Sequence, residues 1–270
     1  MPLARLRGFA LDLDGTVWAG ERLLPGAADC VGALRAAGLP VVFLTNNSRD
    51  RAAALARRLT RLGIAARSRD VIAAVDLLGA AIRQRLGPAR VLPLGARGLR
   101  AALAAADHTP VAPERWAEAQ AVALGNDPTF DYRKLRAASR AVRAGALFFA
   151  TNLDARMPTG PEGDFDPGCG ALAEAIAVAG GVRPIVVGKP HGPMFEDALA
   201  RLRCGAAKAA IVGDNPGTDI AGGRAAGLFT VRVAAGGAYE PDAAHEADLV
   251  VRDLRELLAR WRDARGAGTS

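Results

Sequence analysis

Short apolar runs recur along this chain at residues 9–13, 41–44, 185–187 and 209–212, and they are nearly continuous in apolar residues instead of alternating with polar ones. A strand with one solvated face alternates, so uninterrupted runs belong in a parallel sheet covered by helices on both sides. The segments between them, 27–37, 51–62, 193–202, 220–226 and 254–261, are Ala/Leu/Arg stretches with helical spacing. Gly38, Gly63, Gly205 and Gly227 close them, as glycine closes helices. This alternation predicts an α/β protein built on a doubly wound parallel sheet. A second set of alternating segments occupies 79–182, with runs at 90–94, 121–124 and 146–150. Periodicity alone leaves open whether the two sets form one long sheet or a sheet with an inserted domain.

Composition narrows the function classes. A chain of 270 residues is long enough for two domains of ordinary size, and 50% apolar with 23% charged residues excludes a disordered or collagenous chain. The apolar start Phe9-Ala10-Leu11 is interrupted by Asp12 and Asp14, so neither a spanning helix nor a signal peptide is expected, and the cytoplasm is the expected compartment. Cys30, Cys169 and Cys204 form no CxxC pair and are read as reduced core residues. The net charge of +7 comes from scattered basic residues with no massed run, which argues against a nucleic-acid surface. Only Lys134, Lys189 and Lys208 among the 35 basic side chains are lysine, so a lysine in an unusual place is informative.

Four strand ends carry the chemistry. Asp12 and Asp14 end the first apolar run, two residues apart, so that on a continuing strand both would leave the same side of the pleat. Carboxylates that close repel by several kcal/mol, and Mg²⁺ is the natural ion to offset this. Gly15 then permits a tight turn. An acid pair can merely end a strand, but an apolar strand running into two acids is uncommon without a ligand. Thr45-Asn46-Asn47-Ser48 follows the second run and leads into a helix, offering a hydroxyl and backbone N–H groups to an anion; an ordinary N-cap cluster reads the same way. Lys189, held between Gly188 and Pro190, offers an ammonium to phosphate or to a carboxylate. Asp214 ends the fourth run and suits a cation site, while Asp219, in the first turn of the next helix, reads either as an outer support or as an acid favoured by the helix dipole. His108, His191 and His245 are too dispersed for an imidazole metal site, and Trp18 reads as packing beneath the crevice.

These segments, in this order, resemble the signature motifs of the haloacid dehalogenase (HAD) superfamily of phosphotransferases, in the form of its NagD-like branch, which includes phosphoglycolate, glycerol-phosphate and pyridoxal phosphatases. The resemblance runs nearly end to end, through Leu24-Pro25-Gly26-Ala27, Ala150-Thr151-Asn152-Leu153-Asp154, Pro167-Gly168-Cys169-Gly170 and Gly188-Lys189-Pro190. It implies a Rossmann-like core over 1–78 and 183–270 and an inserted α/β cap domain over 79–182. It also implies that Asp12 is the nucleophile forming an aspartyl-phosphate and Asp14 the acid that protonates the leaving alcohol and then activates water. Asp12, the backbone carbonyl of Asp14, and Asp214 become the Mg²⁺ ligands. Thr45 and Asn46, with Asn47 beside them, become the phosphate-binding group, Lys189 its charge partner and Asp219 a supporting carboxylate.

The expected activity is Mg²⁺-dependent hydrolysis of a small-molecule phosphate ester. Thr151 to Pro158 resembles the cap loop of phosphoglycolate-type members more than that of pyridoxal phosphatases, which place an imidazole near Met157. This points to a glycolate, glycerol or sugar phosphate. A nucleotide monophosphatase, a pyridoxal phosphatase and a phosphotransferase or phosphomutase are the alternatives. No nucleic-acid or membrane partner is expected, and the resemblance allows a homodimer through the cap, where relatives often pair.

Overall fold

The computed structural model describes residues 2–158, 164–234 and 246–266; His245 lies outside them. The chain divides into two compact units, one of Met1–Thr45, Ala52–Ile72 and Lys189–Ser270, the other of Asn46–Arg51 and Ala73–Gly188.

The first unit is built on a six-stranded sheet in the order Leu249–Val251, Phe229–Val233, Ala209–Gly213, Gly8–Asp12, Val41–Thr45 and Val71–Ala73. Gly8–Asp12 pairs in parallel with both neighbours, Leu11 standing opposite Val212 on one side and Phe43 on the other. Counted in chain order the strands run 6-5-4-1-2-3, so the direction of winding reverses between Gly8–Asp12 and Ala209–Gly213. This is the Rossmann-like arrangement, and the reversal opens a crevice at the carboxyl ends of those two strands. Phe9, Ala10, Leu11, Phe43, Ile211 and Val212 are all fully buried, as a doubly covered sheet requires. Helix Ala27–Ala36 buries Cys30, Val31 and Leu34, and Leu254–Gly266, which packs beside it, buries Leu257, Leu258 and Trp261.

The second unit has its own five-stranded parallel sheet, in the order Ile185–Val186, Leu147–Ala150, Ala121–Leu124, Arg90–Leu94 and Thr109–Pro110. Leu92, Val122 and Phe148 form one core with Ala138 and Ile176 from helices Tyr132–Arg143 and Cys169–Gly180. Periodicity could not separate one long sheet from two; the described strands form separate six-stranded and five-stranded sheets. Residues 79–182 fall inside the second unit.

Smaller expectations resolve locally. Cys30 and Cys169 are buried and Cys204 half-buried, and burial pushes the first two thiols up to about 12 and about 11, leaving them neutral. His108 is a satisfied core residue, its Nδ1 accepting from Ala89 N and its Nε2 lying 3.0 Å from the carbonyl of Gly79. Among the described residues no helix is long and apolar enough to cross a membrane.

Candidate active site

Asp12 is the last residue of the Gly8–Asp12 strand, and Asp214 directly follows the Ala209–Gly213 strand, which places both at the reversal of the sheet. Asp219 sits five residues further on, in the first turn of the π-helical segment Pro216–Ile220 that leads into the short helix Ala221–Ala225. Lys189 precedes helix Gly192–Leu202. These four charged residues are 5%, 6%, 1% and 3% exposed in that order, so their charges act on one another with little screening by water.

Lys189 Nζ donates to Asp12 Oδ1 at 2.5 Å and to Asp219 Oδ1 at 2.6 Å. The other oxygen of Asp219 accepts the backbone N–H of Asn215 at 3.1 Å. Both oxygens of Asp219 are therefore engaged in steering Lys189 and the Asp214–Asn215 backbone, which is more than the helix-dipole role its position in sequence allows.

One oxygen from each of Asp12, Asp214 and Asp219 lies within 4.8 Å of the others. Two like charges at that separation repel by about 3.5 kcal/mol at an effective dielectric of about 20, and a single ammonium faces three carboxylates. Burial, only partly countered by Lys189 and reinforced by Asp219 and Asp214, holds the Asp12 carboxyl well above the ordinary range. Burial and Asp219 push Asp214 up to about 7. Lys189 would be pulled down by its burial, but Asp12 and Asp219 outweigh this and hold the ammonium charged. An excess of negative charge on hard oxygen donors suits Mg²⁺, which takes carboxylates and keeps further positions for water or phosphate oxygens.

Two glycines make the close approaches possible. Gly15 has φ +85°, and a Cβ there would stand 2.2 Å from Asp214 Oδ2. A Cβ on Gly213 would stand 2.2 Å from Cγ of Asp219. Any side chain at either position pushes a carboxylate out of the cluster.

The strand stops at Asp12, and Asp14, which is exposed, forms an isolated bridge with Trp18 and accepts a side-chain hydrogen bond. The donor is Trp18 Nε1, 2.8 Å from Asp14 Oδ1. Thr45 ends the strand next to Gly8–Asp12 and is buried. Asn46 and Asn47 belong to the second unit. There Asn46 Nδ2 donates to Asp154 Oδ2 at 3.3 Å, and the Asn46 carbonyl accepts from Asn152 Nδ2 at 2.8 Å. Asn47 Oδ1 accepts the backbone N–H groups of Arg49 and Asp50, both at 2.8 Å, which is the N-cap reading of that residue.

The hydrogen bonds of Trp18 and Asn215 were not legible in sequence, because each depends on a turn geometry. The scarcity of lysine, by contrast, does mark Lys134. It is buried in the second unit, with Nζ donating to Asp127 Oδ2 at 2.8 Å, Thr129 Oγ1 at 2.6 Å and the Thr129 carbonyl at 3.0 Å. Asp127 helps to line a cavity of about 260 Å³ in the second unit, with Arg49, Asn126 and Phe130 in the wall. The Arg49 guanidinium grips Asn126 Oδ1 through Nε at 3.0 Å and through a terminal nitrogen at 2.8 Å.

The structure thus has a Rossmann-like α/β sheet with a buried Asp-Lys-Asp-Asp group at its switch point. Sequence comparison names the family: the haloacid dehalogenase-like hydrolase profile matches residues 9–109, and a HAD-hydrolase-like profile matches residues 186–257. Human (Homo sapiens) chronophin is 37% identical over 241 residues, covering 85% of this chain and 81% of that protein. The acid sugar phosphatase of Staphylococcus haemolyticus is 34% identical over 230 residues, covering 85% and 86%. Among solved structures, the glycerol phosphate phosphatase of Mycobacterium tuberculosis in complex with magnesium superimposes with a TM-score of 0.84 at 32% identity, covering 95% of this chain and 77% of that one. The chain belongs to the haloacid dehalogenase-like hydrolase family and is a phosphoric monoester hydrolase.

Proposed function

We propose that this phosphatase works through an aspartyl-phosphate on Asp12 and acts on small organic phosphates of the glycolate, glycerol or sugar phosphate class. The observation that carries the reading is the Lys189 ammonium bridging buried Asp12 and Asp219, with Asp214 beside them, at the switch point of the sheet. Burying so many charges stabilises a fold poorly, and clusters of perturbed carboxylates mark sites of chemistry.

In this reading Lys189 favours the ionised form of Asp12 and aims it. An Asp12 oxygen forms a bond to phosphorus while the bond to the ester oxygen breaks, and Asp14 hands that oxygen a proton. Asp14, now a carboxylate, takes a proton from water as the water oxygen attacks phosphorus, which frees Asp12 and releases inorganic phosphate. The Thr45 hydroxyl and the Asn46 N–H hold the non-bridging phosphate oxygens, and Asn47 maintains the turn that presents them. Asp12, the Asp14 carbonyl and Asp214 would hold Mg²⁺, with Asp219 acting from behind through Lys189 and Asn215. When bound, Mg²⁺ supplies positive charge that offsets the repulsion between a carboxylate nucleophile and a phosphate dianion. Residues 79–182 form the inserted cap that selects the ester. Support for a small polar alcohol portion comes from the names of the acid sugar and glycerol phosphate phosphatases and from Met157, which offers no imidazole to a pyridine ring.

The test is phosphate release from p-nitrophenyl phosphate and a panel of alkyl, sugar and nucleoside monophosphates with Mg²⁺, compared by kcat/KM. Asp12→Asn should lose turnover by at least about 10³-fold while keeping its circular dichroism spectrum. Full turnover by that variant refutes the mechanism, and a nucleoside monophosphate at the head of the panel refutes the substrate class.

A further inference from the structure

Asp14 differs from the other acids of the site in being exposed. An exposed aspartate samples several rotamers, and a group that must meet a leaving oxygen loses rate when its geometry wanders. Here one oxygen is tied down. The turn after Leu13 is closed by Val17 N and Trp18 N, which donate to the Leu13 carbonyl at 2.9 and 3.0 Å, and by Gly15 N, which donates to the Trp18 carbonyl at 2.8 Å. This folds the Trp18 side chain back to Asp14. The indole is fully buried and has one donor and no acceptor, and that donor goes to Asp14 Oδ1 at 2.8 Å. The ring is itself held: the Arg58 guanidinium carbon lies 4.3 Å from its centroid, and Arg58 reaches Glu21 Oε1 at 3.3 Å and the Gly20 carbonyl. Trp18 also begins a short antiparallel ladder, standing opposite Leu23.

We propose that Trp18 is a positioning residue for proton transfer: its buried N–H fixes the Asp14 carboxyl so that Oδ2 carries the proton delivered to the leaving alkoxide. An oxygen that already accepts an N–H is the poorer seat for a proton, so the acidic hydrogen resides on the other oxygen. As the Asp12–phosphorus bond forms and the ester oxygen departs, that hydrogen moves from Oδ2 to the departing oxygen and Asp14 is left as a carboxylate. The inference rests on the reading of Asp14 as general acid, and Trp18 acts only through it.

The experiment exploits leaving-group chemistry. A p-nitrophenolate departs without a proton, whereas the alkoxide of glycerol phosphate needs one, and kcat/KM reports the step up to phosphorylation of Asp12. Trp18→Phe keeps an aromatic ring beneath Arg58 and removes the donor. Trp18→3-benzothienylalanine, which puts sulfur in place of the N–H at the same shape, does so with less change in packing and serves if the first variant melts early. With saturating Mg²⁺, kcat/KM for glycerol phosphate should fall about 10- to 100-fold, a part of the 10²- to 10⁴-fold that a general acid contributes, and that for p-nitrophenyl phosphate should stay within about 3-fold. An equal fall on both esters, or no fall on either, overturns the proposal, since a purely structural tryptophan does not distinguish leaving groups. Asp14→Asn separates the two layers. If it discriminates between the esters and the Trp18 variants do not, the Trp18 inference fails alone; if Asp14→Asn shows no discrimination, the reading of Asp14 fails with it.

Discussion

Replacing Lys189 by methionine is the sharpest perturbation of the electrostatic picture, because methionine fills nearly the same volume without the charge. The wild-type ammonium is 3% exposed and lies 2.5 Å from Asp12 and 2.6 Å from Asp219. Without it, Asp12, Asp214 and Asp219, with oxygens within 4.8 Å of one another, lose the ammonium that offsets their repulsion. Breaking a buried pair by removing one partner costs about 3–5 kcal/mol, or a melting point lower by about 6–20 °C for a unit of this size. That cost should depend on pH. Asp214 rises from an ordinary carboxylate value to about 7 in the folded protein, so the fold prefers its protonated form. Its contribution to stability is complete below the unfolded value of about 4, and is lost as pH rises through about 7. Metal-free Lys189→Met should therefore lose most stability at pH 8 and much less at pH 5, where a proton can take the place of the missing charge. Adding Mg²⁺ at pH 8 should restore part of the loss. The measurement is thermal unfolding by circular dichroism at both pH values, with EDTA and with Mg²⁺. A loss under about 1 kcal/mol at pH 8, or an equal loss at both pH values, would refute this account of the cluster.

Two further outcomes follow from single contacts. Gly15→Ala puts a Cβ 2.2 Å from Asp214 Oδ2 on a backbone with φ +85°; moving that carboxylate should weaken Mg²⁺ at least about tenfold, since each 1.4 kcal/mol is a factor of ten, read as a rightward shift of the Mg²⁺ dependence of turnover. An unshifted curve would mean that Asp214 does not meet the ion. Lys134→Met leaves Asp127, 2% exposed at its side chain, without its cation and should destabilise the second unit by about 3–5 kcal/mol, detected as faster hydrogen exchange over 121–143, while exchange at Gly8–Asp12 stays unchanged; uniform exchange across both units would show that the pair is not local.

Much of the core was legible from short-range pattern. The runs at 41–44 and 209–212 are buried strands because an apolar run of that length, bounded by a helical period, has few other places to go, and their ends carry Thr45 and Asp214 for the same reason. Lys189 stood out because lysine is scarce in this chain. The role of Asp219 was not legible: a first-turn acid and a brace for Lys189 share one sequence position, and only the π-helical turn over Pro216–Ile220 aims its two oxygens at Lys189 and Asn215. The hydrogen bond from Trp18 to Asp14 was not legible either, since the strand ends two residues before Asp14 and the turn that follows sets that contact.

The residue types, their places at strand ends and the α/β class were determined by sequence, because propensity, burial period and covalent order act over a few residues at a time. The division into two cores, the meeting of Asp12, Lys189, Asp214 and Asp219, and the hold of Trp18 on Asp14 were decided by tertiary structure. A contact such as Lys189 to Asp12 spans 177 residues, and it exists only once strand register, turn geometry and side-chain rotamers have all been set together.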